Sequence, residues 1–194
     1  IIMSPDFDED GVVFFGGKYR SKDGGENWQA IKASDQGQML YMKNSCAQTH
    51  KDGMAFHPHY NHEFPENRRK MVMMATASKK DKTSIWVSDD TDSEFRKLNL
   101  SWSVKQALTR GKCPMLATMG NVTYLATQSM AVFGTVDFGE SWSVVLPAQA
   151  NEEIVMQLQV DQTSAQGSHE VNKLLLVTKN NVYQLKPNIK TLIP

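Results

Sequence analysis

The stretch Ser21-Lys22-Asp23-Gly24-Gly25-Glu26-Asn27-Trp28 constrains the fold more than any other, because it recurs. Thr135-Val136-Asp137-Phe138-Gly139-Glu140-Ser141-Trp142 repeats its form, S/T-x-D-x-G-x-x-W, and both copies follow a short strand-like run. A degenerate copy is read between them at Ser88-Asp89-Asp90-Thr91-Asp92-Ser93-Glu94-Phe95. There Asp90 keeps the third position, Asp92 stands where glycine should be, and Phe95 replaces tryptophan. Self-similarity at such intervals marks a repeat architecture.

The octet makes physical sense as a hairpin turn. Ser or Thr at the first position and Asp at the third are short side chains that hydrogen-bond nearby backbone N–H groups, in competition with regular ladders. Glycine at the fifth position permits a positive φ without steric cost. Tryptophan at the eighth begins the outgoing strand and is expected to fold its ring beneath the turn, burying roughly 150–250 Å². A unit of this kind needs no ligand. Ser21, Asp23, Gly25, Trp28, Ser88, Asp90, Phe95, Thr135, Asp137, Gly139 and Trp142 are therefore read as structural.

Short apolar runs rich in β-branched and aromatic residues recur along the whole chain, bounded by Gly, Asn, Asp and Ser, and no long stretch keeps a helical period. They fall into four groups. Strands are predicted at 1–4, 12–16, 18–21 and 28–31, then at 53–57, 70–77, 84–88 and 95–98. The third group spans 114–119, 122–127, 130–135 and 142–146, and the fourth 153–160, 173–178 and 182–185. The second strands begin near 12, 70, 122 and 173, a spacing of roughly 50 residues that suits four-stranded propeller blades with insertions. The expectation is an all-β propeller of about four antiparallel blades, approximately 1–33, 52–100, 113–148 and 152–194, in a single domain or fragment that is part of a larger propeller, with a closed four-bladed ring as the alternative.

The octets resemble the Asp-box, or BNR repeat, of sialidases, sortilin-type receptor ectodomains, xyloglucanases and photosystem assembly factors. The run Ser4-Pro5-Asp6-Phe7-Asp8-Glu9-Asp10-Gly11-Val12-Val13-Phe14 is similar to the lead-in seen in many repeat proteins of that group. The matched segments cover roughly a quarter of the chain. The resemblance implies a propeller whose boxes join the last two strands of a blade and lie on the rim, away from the axis. It implies no particular activity, because enzymes and binding proteins share the motif. Among these families the sortilin-like receptors offer the nearest functional analogy, although their cysteine-rich segment after the propeller has no counterpart here.

The composition is that of an ordinary globular chain: 194 residues, 40% hydrophobic and 22% charged. The 21 basic and 21 acidic residues balance. That argues against non-specific binding to nucleic acid, which needs a basic excess. No apolar run approaches the ~18–20 residues needed to span a bilayer, so no membrane insertion of this segment is expected. The opening Ile1-Ile2-Met3-Ser4, with neither an initiator Met nor a signal-peptide pattern, is read as a fragment, a processed product or the visible part of something longer. Cys46 and Cys113 fit no zinc or redox spacing, leaving one disulfide or two free thiols. Sequons at Asn99-Leu100-Ser101 and Asn121-Val122-Thr123 point toward a secreted, cell-surface or luminal glycoprotein.

Two insertions break the rhythm, Ser34 to Lys51 and Pro58 to Arg69, and such insertions tend to carry function on a propeller platform. His50, His57, His59 and His62 fall in one window beside Glu63. In an extended strand His57 and His59 would share a face, as two metal ligands must, with His62 or Glu63 as a third. Pro58 disfavours a regular ladder there, so a solvated polar loop is preferred and no cofactor is expected. Sialidase chemistry would need three arginines on a carboxylate with a Tyr–Glu nucleophile pair. Arginine is scarce, and Arg20, just before a box, is expected at the rim. A glycosidase would need two axial carboxylates ~5–9.5 Å apart, for which Asp6, Asp8, Asp10 and Glu63 are candidates. The basic groups Arg68-Arg69-Lys70 and Lys79-Lys80-Asp81-Lys82 are read as solvated hairpin ends rather than a patch for an acidic partner. Met71, Met73 and Met74 are read as core, Trp86 likewise, and Trp102 as an exposed contact or a sugar-stacking residue. The favoured function is a non-catalytic recognition or assembly module binding protein or glycan through inter-blade loops, with other chains completing the propeller. The alternatives are part of a sialidase-like or xyloglucanase-like hydrolase, or a structural subunit of a larger assembly.

Overall fold

The computed structural model describes residues 1–33, 53–61, 63, 72–76, 84–88, 94–110, 114–127, 129–147, 155–161 and 173–185. Four small antiparallel sheets are arranged as a four-blade β-propeller. The first blade holds β1 (Ile2–Met3), β2 (Val13–Phe15), β3 (Tyr19–Ser21) and β4 (Gln29–Ala30), with a short helix α1 (Phe7–Asp10) between β1 and β2. After β4 the chain forms β5 (Lys32–Ala33), which pairs with the second blade. That blade holds β6 (Met54–Phe56), β7 (Val72–Thr76), β8 (Ser84–Ser88) and β9 (Glu94–Lys97). Helix α2 (Trp102–Arg110) leads into the third blade, β10 (Met115–Met119), β11 (Val122–Ala126), β12 (Val132–Thr135) and β13 (Ser143–Leu146). The fourth has β14 (Val155–Asp161), β15 (Lys173–Thr178) and β16 (Val182–Leu185). Each blade is a meander in chain order, and β6, β10 and β14 lie side by side as first strands.

The period of two along the strands decides how the blades stack. In the third sheet Leu116, Leu125 and Phe133 point to the second blade, where they join Ala55, Met73, Ile85, Val87 and Leu98. Met115, Tyr124 and Val132 point the other way and meet Leu158, Leu174 and Leu176 of the fourth. Between the first and second sheets the core is Phe14, Ile31, Met54, Val72 and Phe95, with Trp86 partly buried beside it. A sheet covered on both faces reads as a continuous apolar run, which is why all five residues of β11 are buried. Each fully buried Leu, Val or Phe contributes about 1.5–3 kcal/mol, so the stability resides between blades rather than within any one.

Beyond the short helix α1, two elements depart from the expected strands. Helix α2 is amphipathic over little more than two turns, with Val104, Ala107 and Leu108 buried against the second and third blades. That i, i+3, i+4 stripe is too short to stand out from a sequence of strands. The second departure is β5, which runs parallel to β9 with Lys32 opposite Glu94 and Ala33 opposite Phe95. It places a fifth strand on the outer edge of the second sheet and ties the first blade to it. Arg20, expected at the rim, is buried in β3, where its guanidinium donates to Gln29 Oε1 at 2.7 Å. The degenerate octet begins at buried Ser88 and ends at fully buried Phe95; Asp90 lies outside the described residues, as do Met71, Arg68, Arg69, Lys70 and residues 79–82.

Candidate functional site: octet turns and the loop clasp beside them

The two full octets close in the same way. Ser21 Oγ donates to Asp23 Oδ1 at 2.6 Å and accepts from Gly25 N at 2.9 Å. Asp23 then takes Asn27 N at 2.9 Å and Asn27 Nδ2 at 2.7 Å, and Trp28 Nε1 donates to Gly25 O at 2.8 Å. In the second octet Thr135 Oγ1 donates to Asp137 Oδ1 at 2.7 Å and accepts from Gly139 N at 2.8 Å. Ser141 gives its N–H at 2.9 Å and its hydroxyl at 2.5 Å to Asp137, and Trp142 Nε1 donates to Gly139 O at 3.2 Å. The seventh residue, Asn27 or Ser141, is therefore part of the turn. The motif as first read leaves that position open, although both copies carry a short polar side chain there.

These bonds set the charge state of the aspartates. Four hydrogen bonds, led by the Asn27 backbone, hold the Asp23 carboxyl down at about 2. For Asp137 burial pushes upward, and the bonds from Ser141 and Thr135 outweigh it, so the carboxyl lies below its ordinary value. Both are acceptors fixed within their own turn, a geometry suited to holding backbone rather than to moving protons.

The two turns differ in what surrounds them. A Cβ on Gly139 would lie 2.5 Å from Leu98 Cδ1 and 2.9 Å from Met73 Cε, both from the second blade. At Gly25 the corresponding Cβ would meet only the ring of Trp28, at 3.4 Å. Trp142 packs against the core between the second and third blades, whereas Trp28 is 42% exposed. The expectation that Trp28 lies buried beneath its turn is thus overturned: the ring closes the turn by its N–H and leaves much of its surface to solvent. Phe138, at φ 53, adopts a left-handed conformation that L-residues avoid; it is buried against the same core.

Beside the first turn lies the lead-in. Gly11, left-handed at φ 61, ends α1, and its Cβ would be 3.0 Å from Gly24 N and 3.1 Å from Lys22 O. Only glycine permits that approach, which allows Gly24 N to donate to Gly11 O at 3.0 Å. Lead-in and octet are therefore two halves of one unit. Asp10 extends the unit to the next blade: it accepts from Ser4 Oγ at 2.6 Å, Val12 N at 2.8 Å and Tyr60 Oη at 2.6 Å. Burial together with the Asp10 carboxylate pushes the Tyr60 hydroxyl well above the ordinary tyrosine range, so it stays a donor at any physiological pH. On the other side of the same loop His57 lies against Phe138, ring centroids 5.2 Å apart. The segment from His57 to Tyr60 thus bridges the first blade and the third.

The sequence-derived candidates sort as follows. His57 and His59 come within 6.0 Å of each other, ring to ring, but His57 Nδ1 accepts from His59 N at 3.1 Å. His62 lies outside the described residues, and among those described no cluster of three metal-ligating side chains occurs. Of the candidate carboxylates, Asp10 is drawn into a cluster where it serves Ser4, Val12 and Tyr60, and the charge of Asp6 also bears on the Tyr60 hydroxyl. Asn99 and Asn121 are both exposed, the first after β9, the second in the tight turn between β10 and β11. Trp102, at the start of α2, is 76% exposed. Trp86 is half-buried, with Lys97 Nζ 5.6 Å above its ring. Cys46 and Cys113 fall outside the described residues. Among the described residues no helix is long and apolar enough to cross a membrane.

No protein-family model matches the chain, and no curated protein matches it either.

Proposed function

We propose that the chain is a non-catalytic recognition or assembly module of the Asp-box kind, secreted, cell-surface or luminal, that binds protein or glycan through the connections between its blades. The observation that carries this reading is Trp102. An indole left 76% exposed at the head of the helix joining two blades is a contact residue in search of a surface, since aromatic rings anchor both protein and sugar ligands. The sortilin-like analogy supports the same kind of role. The engagement of Asp10, Asp23 and Asp137 by their own turns supports it from the other side, because a hydrolase needs carboxylates held for substrate.

The test is direct binding of the full chain to glycan and peptide arrays, alongside Trp102→Ala. Loss of about tenfold or more in affinity, with the melting temperature unchanged, is expected for a contact residue of this exposure. Equal binding by the two proteins would remove Trp102 from the site, and turnover of chromogenic glycosides would replace the reading with a hydrolase. Expression through a eukaryotic secretory pathway, with intact mass before and after glycosidase treatment, reads the compartment: occupied Asn99 or Asn121 is the expected result.

A structural role within a larger assembly is the second reading, favoured by the exposed Met3, Phe15, Tyr19 and Trp28 of the first blade.

A further inference from the structure

The exposed indole of Trp102 has a particular neighbourhood. Helix α2 turns Val104, Ala107 and Leu108 inward. Trp102, Lys105, Gln106 and Thr109 therefore share its outer face at i, i+3, i+4 and i+7 spacing, and all four are exposed. Trp102 is the one large apolar side chain of that row. A protein interface surrounds its aromatic anchor with further contacts that exclude water. A sugar needs less: one aromatic ring beneath its C–H face, and polar groups around the ring for its hydroxyls.

Asn99 reaches the same face from the chain just before the helix. Lys105 Nζ donates to Asn99 Oδ1 at 3.2 Å. An ammonium only donates, so the carboxamide oxygen must face Lys105, and Nδ2 is the atom left to carry a substituent. The carboxamide is thereby held against the first turn of α2, where Lys105 stands one turn from Trp102. Asn99 and Ser101 of this sequon are both exposed and lie outside any strand. The other sequon is built into a hairpin: Val122 and Thr123 are buried in β11, with Thr123 Oγ1 3.3 Å from Thr118 Oγ1. Hairpins close within about 1–10 μs, so the Thr123 hydroxyl is drawn into the sheet early, whereas Ser101 stays at the surface.

We infer that Asn99 carries an N-linked glycan whose first sugar stacks on Trp102, so that occupancy of Asn99 controls access to the indole. Such a glycan depends on the secreted, cell-surface or luminal setting proposed above, and it regulates the same Trp102 site. In the attaching step Asn99 Nδ2 loses one proton to the transferase and bonds the anomeric carbon of an oligosaccharide held on a lipid pyrophosphate. The bond from that carbon to the phosphate oxygen breaks, and the lipid pyrophosphate leaves with the electron pair. Glycan and external ligand then compete for one ring: the modified chain is closed at Trp102 and the unmodified chain is open.

The test uses the full chain secreted from eukaryotic cells, beside Asn99→Gln and Ser101→Ala, which remove the acceptor and the sequon hydroxyl separately. Glycosidase treatment turns an occupied asparagine into aspartate, and peptide masses are expected to show Asn99 occupied. Hydroxyl-radical footprinting then reads the indole. Oxidation of Trp102 is expected to be several-fold lower in the glycosylated chain than in either variant, with the partly exposed Trp28 labelled equally in all three. On the arrays both variants are expected to bind more tightly than the glycosylated wild type. Asn121 occupied with Asn99 empty overturns the inference and leaves the secretory setting standing; both empty overturns both. Equal oxidation of Trp102 with and without the glycan also overturns it. Absence of any array ligand counts against the recognition role alone, because occupancy and footprinting decide the glycan without one.

Discussion

The two octet turns are the same object in two settings. Hydrogen bond for hydrogen bond they match: the hydroxyl of Ser21 or Thr135 clamps the glycine N–H, the aspartate clamps the seventh residue, and the indole N–H closes the loop. Their surroundings do not match. The second turn sits under the second blade, with Leu98 and Met73 against Gly139 and with Arg96 reaching Glu140 at 3.1 Å across the surface. The first turn is bare on that side. The turn is thus a local solution that needs eight residues, while its energetic weight is set by whether another sheet lies on it.

That comparison can be broken most sharply at glycine. Gly139→Ala places a methyl group inside Leu98 at a φ of 100°, and is expected to cost about 3 kcal/mol from overpacking and left-handed strain together. Gly25→Ala meets the strain without the clash, and about 1–2 kcal/mol is expected. Urea denaturation of the two variants measures the gap; equal losses would mean that the second blade does not press on the second turn. Next in size is the tryptophan pair. Trp142→Ala is expected to cost about 2–3 kcal/mol, less than a fully buried ring because Trp142 is only half-buried. Trp28→Ala is expected to cost about 1 kcal/mol in the monomer, where the ring is partly in water.

The smallest effect lies in acid. Asp23 has a folded value of about 2 against an ordinary 3.8, so the unfolded chain takes up a proton first as the pH falls. The stability that Asp23 contributes is full above about 3.8 and is lost as the pH drops through about 2. Asp137 follows the same sign, its contribution starting to fall at the ordinary carboxylate value and disappearing below its own lowered one. Asp23→Asn and Asp137→Asn are expected to flatten the acid limb of the stability curve, the first more than the second, because burial of Asp137 opposes its own hydrogen bonds. Thermal melts from neutral pH down to about pH 2 read this, and an unchanged acid limb in both variants would remove the aspartates from the turns.

Much of the architecture was legible in the residues. Apart from β5, the strands of the four sheets overlap the runs read from apolar residues and turn breakers, since alternation and breakers act over a few positions. The octets announced hairpins because their donors and acceptors all lie within eight residues. The seventh position went unread because Asn27 and Ser141 differ in type while doing the same work. Helix α2 was missed because three apolar residues on one short face are indistinguishable from strand residues by pattern alone. The parallel pairing of β5 with β9 was missed because it joins residues about sixty positions apart, and nothing in Lys32-Ala33 names its partner. The candidate site was less legible than the fold: His57 and His59 looked like part of a polar loop, Tyr60 was not singled out, and the loop's reach to Asp10 on one side and Phe138 on the other is a long-range matter.

By itself, then, the sequence determined the repeating unit: a four-stranded meander closed by a turn whose hydrogen bonds are encoded locally, because hydroxyl, carboxylate and glycine sit at fixed offsets. Only the tertiary structure decided which copy of that turn is buried. Burial depends on what a neighbouring sheet presents: Met73 and Leu98 to Gly139, whereas a Cβ at Gly25 would meet, among the described residues, only the ring of its own turn's Trp28. The same motif is therefore core in one place and surface in the other.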